Sequence, residues 1–151
     1  MIVLGLSFYY HDSSAALVKD GVLVAAAAEE RFSRKKHDSG FPTLAIEFCL
    51  EQGGVTLNDV DHVVFYEKPF IKLARMLLTA LATFPQSASV FRESMQRWIG
   101  DKLWIKSLMT KELGIPRSKL LFADHHVSHA ASSFFTSPFE ESVILTVDGA
   151  G

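Results

Sequence analysis

Three of the chain's six histidines, His125, His126 and His129, crowd into the run Phe122-Ala-Asp-His-His-Val-Ser-His-Ala-Ala-Ser-Ser-Phe-Phe. If the segment from Asp124 is helical, His125 and His129 lie one turn apart on a single face, close enough for one cation to bridge both imidazoles. His126 then points elsewhere. The apolar run Val143-Ile-Leu-Thr-Val reads as a strand ending in Asp148-Gly149. Its Asp148 carboxylate would add one oxygen to two nitrogens, leaving positions open for water or a substrate phosphate. Two structural readings stand beside this one. A His-x-x-x-His spacing arises by chance, and without a following Glu it is not the metalloprotease pattern. Asp124 is also placed to cap the helix N-terminus.

Those groups need elements to carry them. Residues 2–8 read as a buried strand, 13–19 as a second and 22–28 as a third, with Asp20-Gly21 as the hairpin turn between the last two. Residues 29–40, Glu-Glu-Arg-Phe-Ser-Arg-Lys-Lys-His-Asp-Ser-Gly, form a charged loop. Pro42 suits a helix first turn, and Ala45, Ile46, Cys49 and Leu50 make its apolar stripe before Gly53-Gly54 stops it. A fourth strand covers 61–66, a helix 70–83, and a long amphipathic helix 87–113, whose aromatic stripe reads as core or a docking face. A fifth strand at 120–123, a helix at 125–136 and a sixth strand at 142–147 follow. This is an α/β pattern with a mixed sheet.

A chain of 151 residues, 48% hydrophobic and 21% charged, fits one globular domain. Its net charge of −2 gives no global reason to expect nucleic acid or an anionic membrane as partner. The single cysteine, Cys49, cannot form an internal disulfide, and no signal peptide or membrane-length apolar run is visible, so a cytoplasmic location is expected. The end at Asp148-Gly-Ala-Gly151 follows directly on a strand-like run, where further structure is expected. A fragment of a longer polypeptide is the expectation. Ile2-Val-Leu-Gly-Leu leading to His11-Asp12 is echoed by Val143-Ile-Leu-Thr-Val leading to Asp148, as a duplicated domain would show.

Four motifs in order, Leu4-Gly-Leu-Ser-Phe-Tyr-Tyr-His-Asp-Ser-Ser-Ala-Ala-Leu, Glu29-Glu-Arg-Phe-Ser-Arg-Lys-Lys-His, Asp124-His-His-Val-Ser-His-Ala-Ala-Ser-Ser-Phe and Val147-Asp-Gly-Ala-Gly, span almost the whole chain. Together they resemble the N-terminal part of the O-carbamoyltransferases of nodulation and antibiotic biosynthesis. The resemblance implies an actin-like ATPase (ribonuclease-H-like) fold. Residues 1–141 would be the first subdomain of a duplicated domain, and 142–151 the truncated first strand of the second. It implies a C-terminal domain, absent here, that makes carbamoyl-adenylate from ATP and carbamoyl phosphate. It also implies a ferrous ion held by His125, His129 and Asp148, with a further Asp from the second half.

The implied reaction is attack of a hydroxylated small molecule on the carbamoyl carbon, expelling AMP. It needs a base, positive charge on phosphate and stabilisation of the oxyanion. His11 is the candidate base, its ordinary pKa near 6.5 suiting proton transfer, with a histidine in a surface turn as the alternative. Asp12 either orients His11 or contacts the acceptor. Lys36 matches the family position on carbamoyl-adenylate, with His129 also on the cofactor side, although a charged loop is ordinarily only solvated. The chain alone, without the adenylating domain and the fourth ligand, is expected to lack turnover. Two rivals remain: a sugar kinase or ATPase-type domain using magnesium, which the paired histidines disfavour because magnesium prefers oxygen ligands, and a non-enzymatic docking module.

Overall fold

The computed structural model of the chain describes residues 1–10, 12–86, 88, 91, 92, 95 and 104–148, with only the backbone of 70–72. Strand β1 (Ile2–Ser7), β2 (Ser14–Lys19) and β3 (Val22–Ala28) form an antiparallel meander. Asp20 and Gly21 take φ of 52° and 83° at the β2–β3 turn, the pair of positive values that a tight hairpin with right-handed strand twist requires. Short helix α1 (Glu30–Ser33) and helix α2 (Thr43–Gly53) lead to β4 (His62–Phe65), which returns parallel to β1. Helix α3 (Pro69–Ala82), α4 (Ile105–Leu113) and a 3-10 turn at Arg117–Lys119 precede β5 (Leu120–Phe122), parallel to β4, and α5 (His125–Phe134). The sheet order is β3-β2-β1-β4-β5, three antiparallel strands continued by two parallel ones. The mixed sheet expected from the sequence is present.

Period-two alternation sends Leu4, Leu6 and Phe8 to one face, where they meet Leu17 of β2 and Val63 and Phe65 of β4, all buried. Ala45, Ile46 and Cys49 of α2 and Ile105, Met109 and Leu113 of α4 complete this core. Cys49 is buried against the Ala15 carbonyl, and burial pushes its thiol pKa up. Phe8 stacks edge-on with Phe41 at 5.1 Å and with Phe65 at 4.9 Å, so the core reaches the C-terminal end of the parallel strands.

Two expectations need correction. Residues 29–40 are not all loop, because α1 opens the segment; Glu29 is buried there, its carboxylate accepting from the backbone N–H groups of Leu44 and Ala45 at 3.2 and 2.8 Å. It satisfies two of the unpaired donors at the start of α2. No strand forms at 142–147: the run has no ladder partner among the described residues, and Val143, Leu145 and Val147 stand exposed. A strand needs a neighbour's hydrogen bonds, which an apolar pattern alone does not supply. Thirteen of the 27 residues of the long helix expected over 87–113 lie outside the described residues, and its last part is α4 (Ile105–Leu113). No helix among the described residues is long and apolar enough to cross a membrane.

Candidate metal centre

Because β1, β4 and β5 run parallel, the loops after all three leave the sheet at one end, the end where ligands of α/β sheets commonly bind. The Ala123 N–H donates to the Phe65 carbonyl at 2.9 Å, and the Ser128 hydroxyl donates to the Tyr66 carbonyl at 3.0 Å, fixing the first turn of α5 over β4. Asp124 takes the N-cap position, yet its side chain makes no capping bond. Its carboxylate accepts instead from the Lys68 ammonium at 2.8 Å, so the capping role expected for Asp124 is replaced by a tie to the loop after β4.

With α5 so anchored, His125 and His129 share a face, as their spacing dictates. Nε2 of His125 lies 2.5 Å from Oδ2 of Asp148 and 3.3 Å from Nε2 of His129, which is itself 3.8 Å from that oxygen. Ligand atoms bound to one transition ion at about 2.0–2.2 Å lie roughly 3 to 3.5 Å apart. Only the His125–His129 separation falls in that range; the Asp148 oxygen sits at hydrogen-bonding distance from His125 and somewhat beyond the range from His129, so three donors from two separate segments gather where one ion could bind. Two nitrogens and a carboxylate oxygen suit iron, zinc or another transition metal better than magnesium. Nδ1 of His125 is buried without a hydrogen-bond partner among the described residues, so the carbonyl or carboxylate that usually accepts from the far nitrogen of a ligating histidine is not among them. His126 does not point away: its Nε2 is 4.0 Å from the same Asp148 oxygen. Helical spacing hid this, because it is Asp148, arriving from another segment, that reaches between the two rings.

Tyr66 forms one wall, its ring 5.5 Å from that of His125. Burial raises its phenol pKa strongly, and the carboxylates of Glu67 and Asp148 add to the rise.

Of the remaining site residues, His11 lies outside the described residues. Asp12 pairs with a residue the sequence reading did not single out: Nδ1 of His37 lies 2.8 Å from its Oδ1. Lys36, next to His37 in a turn, is exposed. A run of charged residues conceals such a pair, since only the docking of two loops far apart in sequence creates it.

A family model described as the carbamoyltransferase N-terminus matches residues 2–151. An uncharacterised protein of Synechocystis is 52% identical over 156 residues, covering 99% of this chain and 25% of its own length. The nodulation protein NolNO of Sinorhizobium fredii is 37% identical over 145 residues, covering 95% of this chain and 20% of its own length. An uncharacterised Methanocaldococcus jannaschii protein is 28% identical over 141 residues, covering 93% of this chain and 21% of its own length. The chain thus spans a quarter or less of each of these three relatives.

Proposed function

The chain belongs to the carbamoyltransferase family through its N-terminal domain, and on that premise we propose that it supplies the site where a carbamoyl group passes from carbamoyl-adenylate to the hydroxyl of a small molecule. The observation that carries the reading is the gathering of ligand atoms of His125, His129 and Asp148 within 4.8 Å of one another. These three residues would hold a divalent transition metal, ferrous iron being the expected one. When bound, such an ion supplies Lewis acidity toward phosphate and carbamoyl oxygens.

The chain's own residues have separate tasks. Lys36, exposed beside the site-facing loops, brings positive charge for the adenylate phosphate. The acceptor proton needs a base, and the family resemblance gives that task to His11 on the loop after β1. Phe8, Phe65 and Tyr66 form a packed aromatic cluster that reaches the ring of His125. The sheet order, an antiparallel meander extended by parallel strands, supports the ribonuclease-H-like reading, with residues 1–141 as one subdomain. A cytoplasmic setting and an adenylate-forming domain elsewhere in the full-length protein belong to the same proposal.

The test has two readouts. Elemental analysis of anaerobically prepared full-length protein should find about one iron per chain, and His129→Ala or Asp148→Asn should lower that content. With carbamoyl phosphate and ATP supplied, the protein should release AMP. Protein that binds iron but never forms AMP from these two substrates would overturn the carbamoyl-transfer reading. Retention of the metal by the double variant of His125 and His129 would overturn the site.

A further inference from the structure

The segment that leaves β4, Phe65-Tyr-Glu-Lys-Pro69, is the platform on which the helix bearing His125 and His129 stands. The Ala123 N–H reaches the Phe65 carbonyl, the Ser128 hydroxyl reaches the Tyr66 carbonyl, and the Tyr66 ring lies against that of His125. Lys68 adds a charged contact. Its ammonium donates at 2.8 Å to Oδ2 of Asp124, the residue directly before His125. Both partners are helix N-caps with extended backbone: Lys68 opens α3 at φ −96° and ψ 101°, and Asp124 opens α5 at φ −76° and ψ 136°. Pro69 holds Lys68 there, because a residue followed by proline is kept out of the helical region. An aspartate at an N-cap ordinarily turns its carboxylate onto the N–H groups of its own helix. Asp124 makes no such bond. The cap that α5 would gain is given up for a tie to a lysine 56 residues away.

We infer that Lys68 is a positioning residue of the proposed metal centre, acting through Asp124 to set the rotation of α5 and so the aim of His125 and His129 toward Asp148. The inference rests on the metal reading given above. Ligand atoms on a helix lie about 5–6 Å from its axis, so a turn of about 10° moves them by about 1 Å. A displacement of about that size is enough to leave a coordination site too loose. The two neutral ties, at Ala123 and Ser128, leave a pivot about the line that joins them, and the ion pair removes it. Lys68 and Asp124 are 39% and 54% exposed, so water screens their attraction and the pair adds little to stability. Its effect is on direction. With the pair broken, Asp124 is free to cap α5, which compensates the fold while it releases the aim.

The test titrates full-length protein, freed of metal, with cobalt(II), whose visible absorption reports its ligands. Wild type should show a saturable site that His129→Ala removes. Lys68→Met should weaken cobalt(II) binding about tenfold, at the low end of what changes behind a ligating histidine cost. The thermal midpoint of the metal-free protein should stay where it is, which a merely structural role would not allow. Lys68→Arg, which keeps a cation on Asp124, should recover most of the affinity. Asp124→Ser caps α5 but cannot pair with Lys68, so it should weaken binding as much as Lys68→Met, and the double variant should lose no more. Affinity within about twofold of wild type in both single variants, losses that simply add, or losses that appear only with a fallen thermal midpoint overturn the inference and leave the metal site intact. Cobalt(II) uptake that His129→Ala does not change overturns the metal site and this assignment with it.

Discussion

Glu29 shows how one carboxylate can serve two elements. It is buried at the end of β3, where an unpaired charge would be costly, and it is tolerated because two N–H donors of α2 face it. Removing it strands both donors, so Glu29→Ala should cost about 1–3 kcal/mol in urea unfolding. Glu29→Gln, which keeps an acceptor oxygen, should lose less. A loss no larger for Ala than for Gln would show that the two N–H groups find water instead. Nothing near Glu29 in sequence signals this, because its burial is made by a helix that begins after an intervening loop. His125, His129 and Asp148 were legible for the opposite reason: the two histidines carry helical spacing in their own numbering, and Asp148 ends an apolar run. His37 was not, since its partner Asp12 comes from a loop 25 residues away.

The C-terminus of α2 separates two glycines that the sequence reading joined as one stop signal. Gly54 takes φ 59°, its N–H reaching the Glu51 carbonyl at 3.1 Å while the Val55 N–H reaches that of Leu50 at 3.1 Å, the double bond pattern that closes a helix with a left-handed residue. Gly54→Ala should therefore cost about 1–2 kcal/mol. Gly53 is still helical, and its constraint is packing: an added Cβ would sit 2.4 Å from Cδ2 of the buried Leu17. Helix propensity would favour alanine there by about 1 kcal/mol, but overpacking costs about 1–3 kcal/mol, so Gly53→Ala should destabilise as well. Pairing it with Leu17→Val should recover part of the loss; strict additivity in thermal melts would show that the two do not touch. Strand and helix boundaries from 2 to 65, α1 excepted, follow closely from the chain's periodicity and turn residues. The strand expected at 142–147 does not, because apolar residues signal burial without naming what buries them.

Across the whole molecule, the docked loops tie stability to pH. The Asp12 carboxylate raises the pKa of His37, so the pair contributes in full below the ordinary histidine pKa and is lost as pH rises through the folded value. Stability should decline slightly over that window above pH 6.5, and Asp12→Asn should flatten the decline in urea titrations run at several pH values. A decline of unchanged size in the variant would assign it to another group. The mixed sheet could be anticipated from the order of strands and helices. Which loops would meet could not, since that depends on β1 and β4 lying side by side.

The exposed run from Val143 to Val147 has a consequence for handling the molecule. Its exposed apolar side chains, and backbone with no ladder partner among the described residues, are the ingredients of intermolecular sheet growth. Concentrated solutions of the 151-residue chain should cloud or sediment as aggregates, and Leu145→Lys, a gatekeeper charge on an 86% exposed position, should keep them clear.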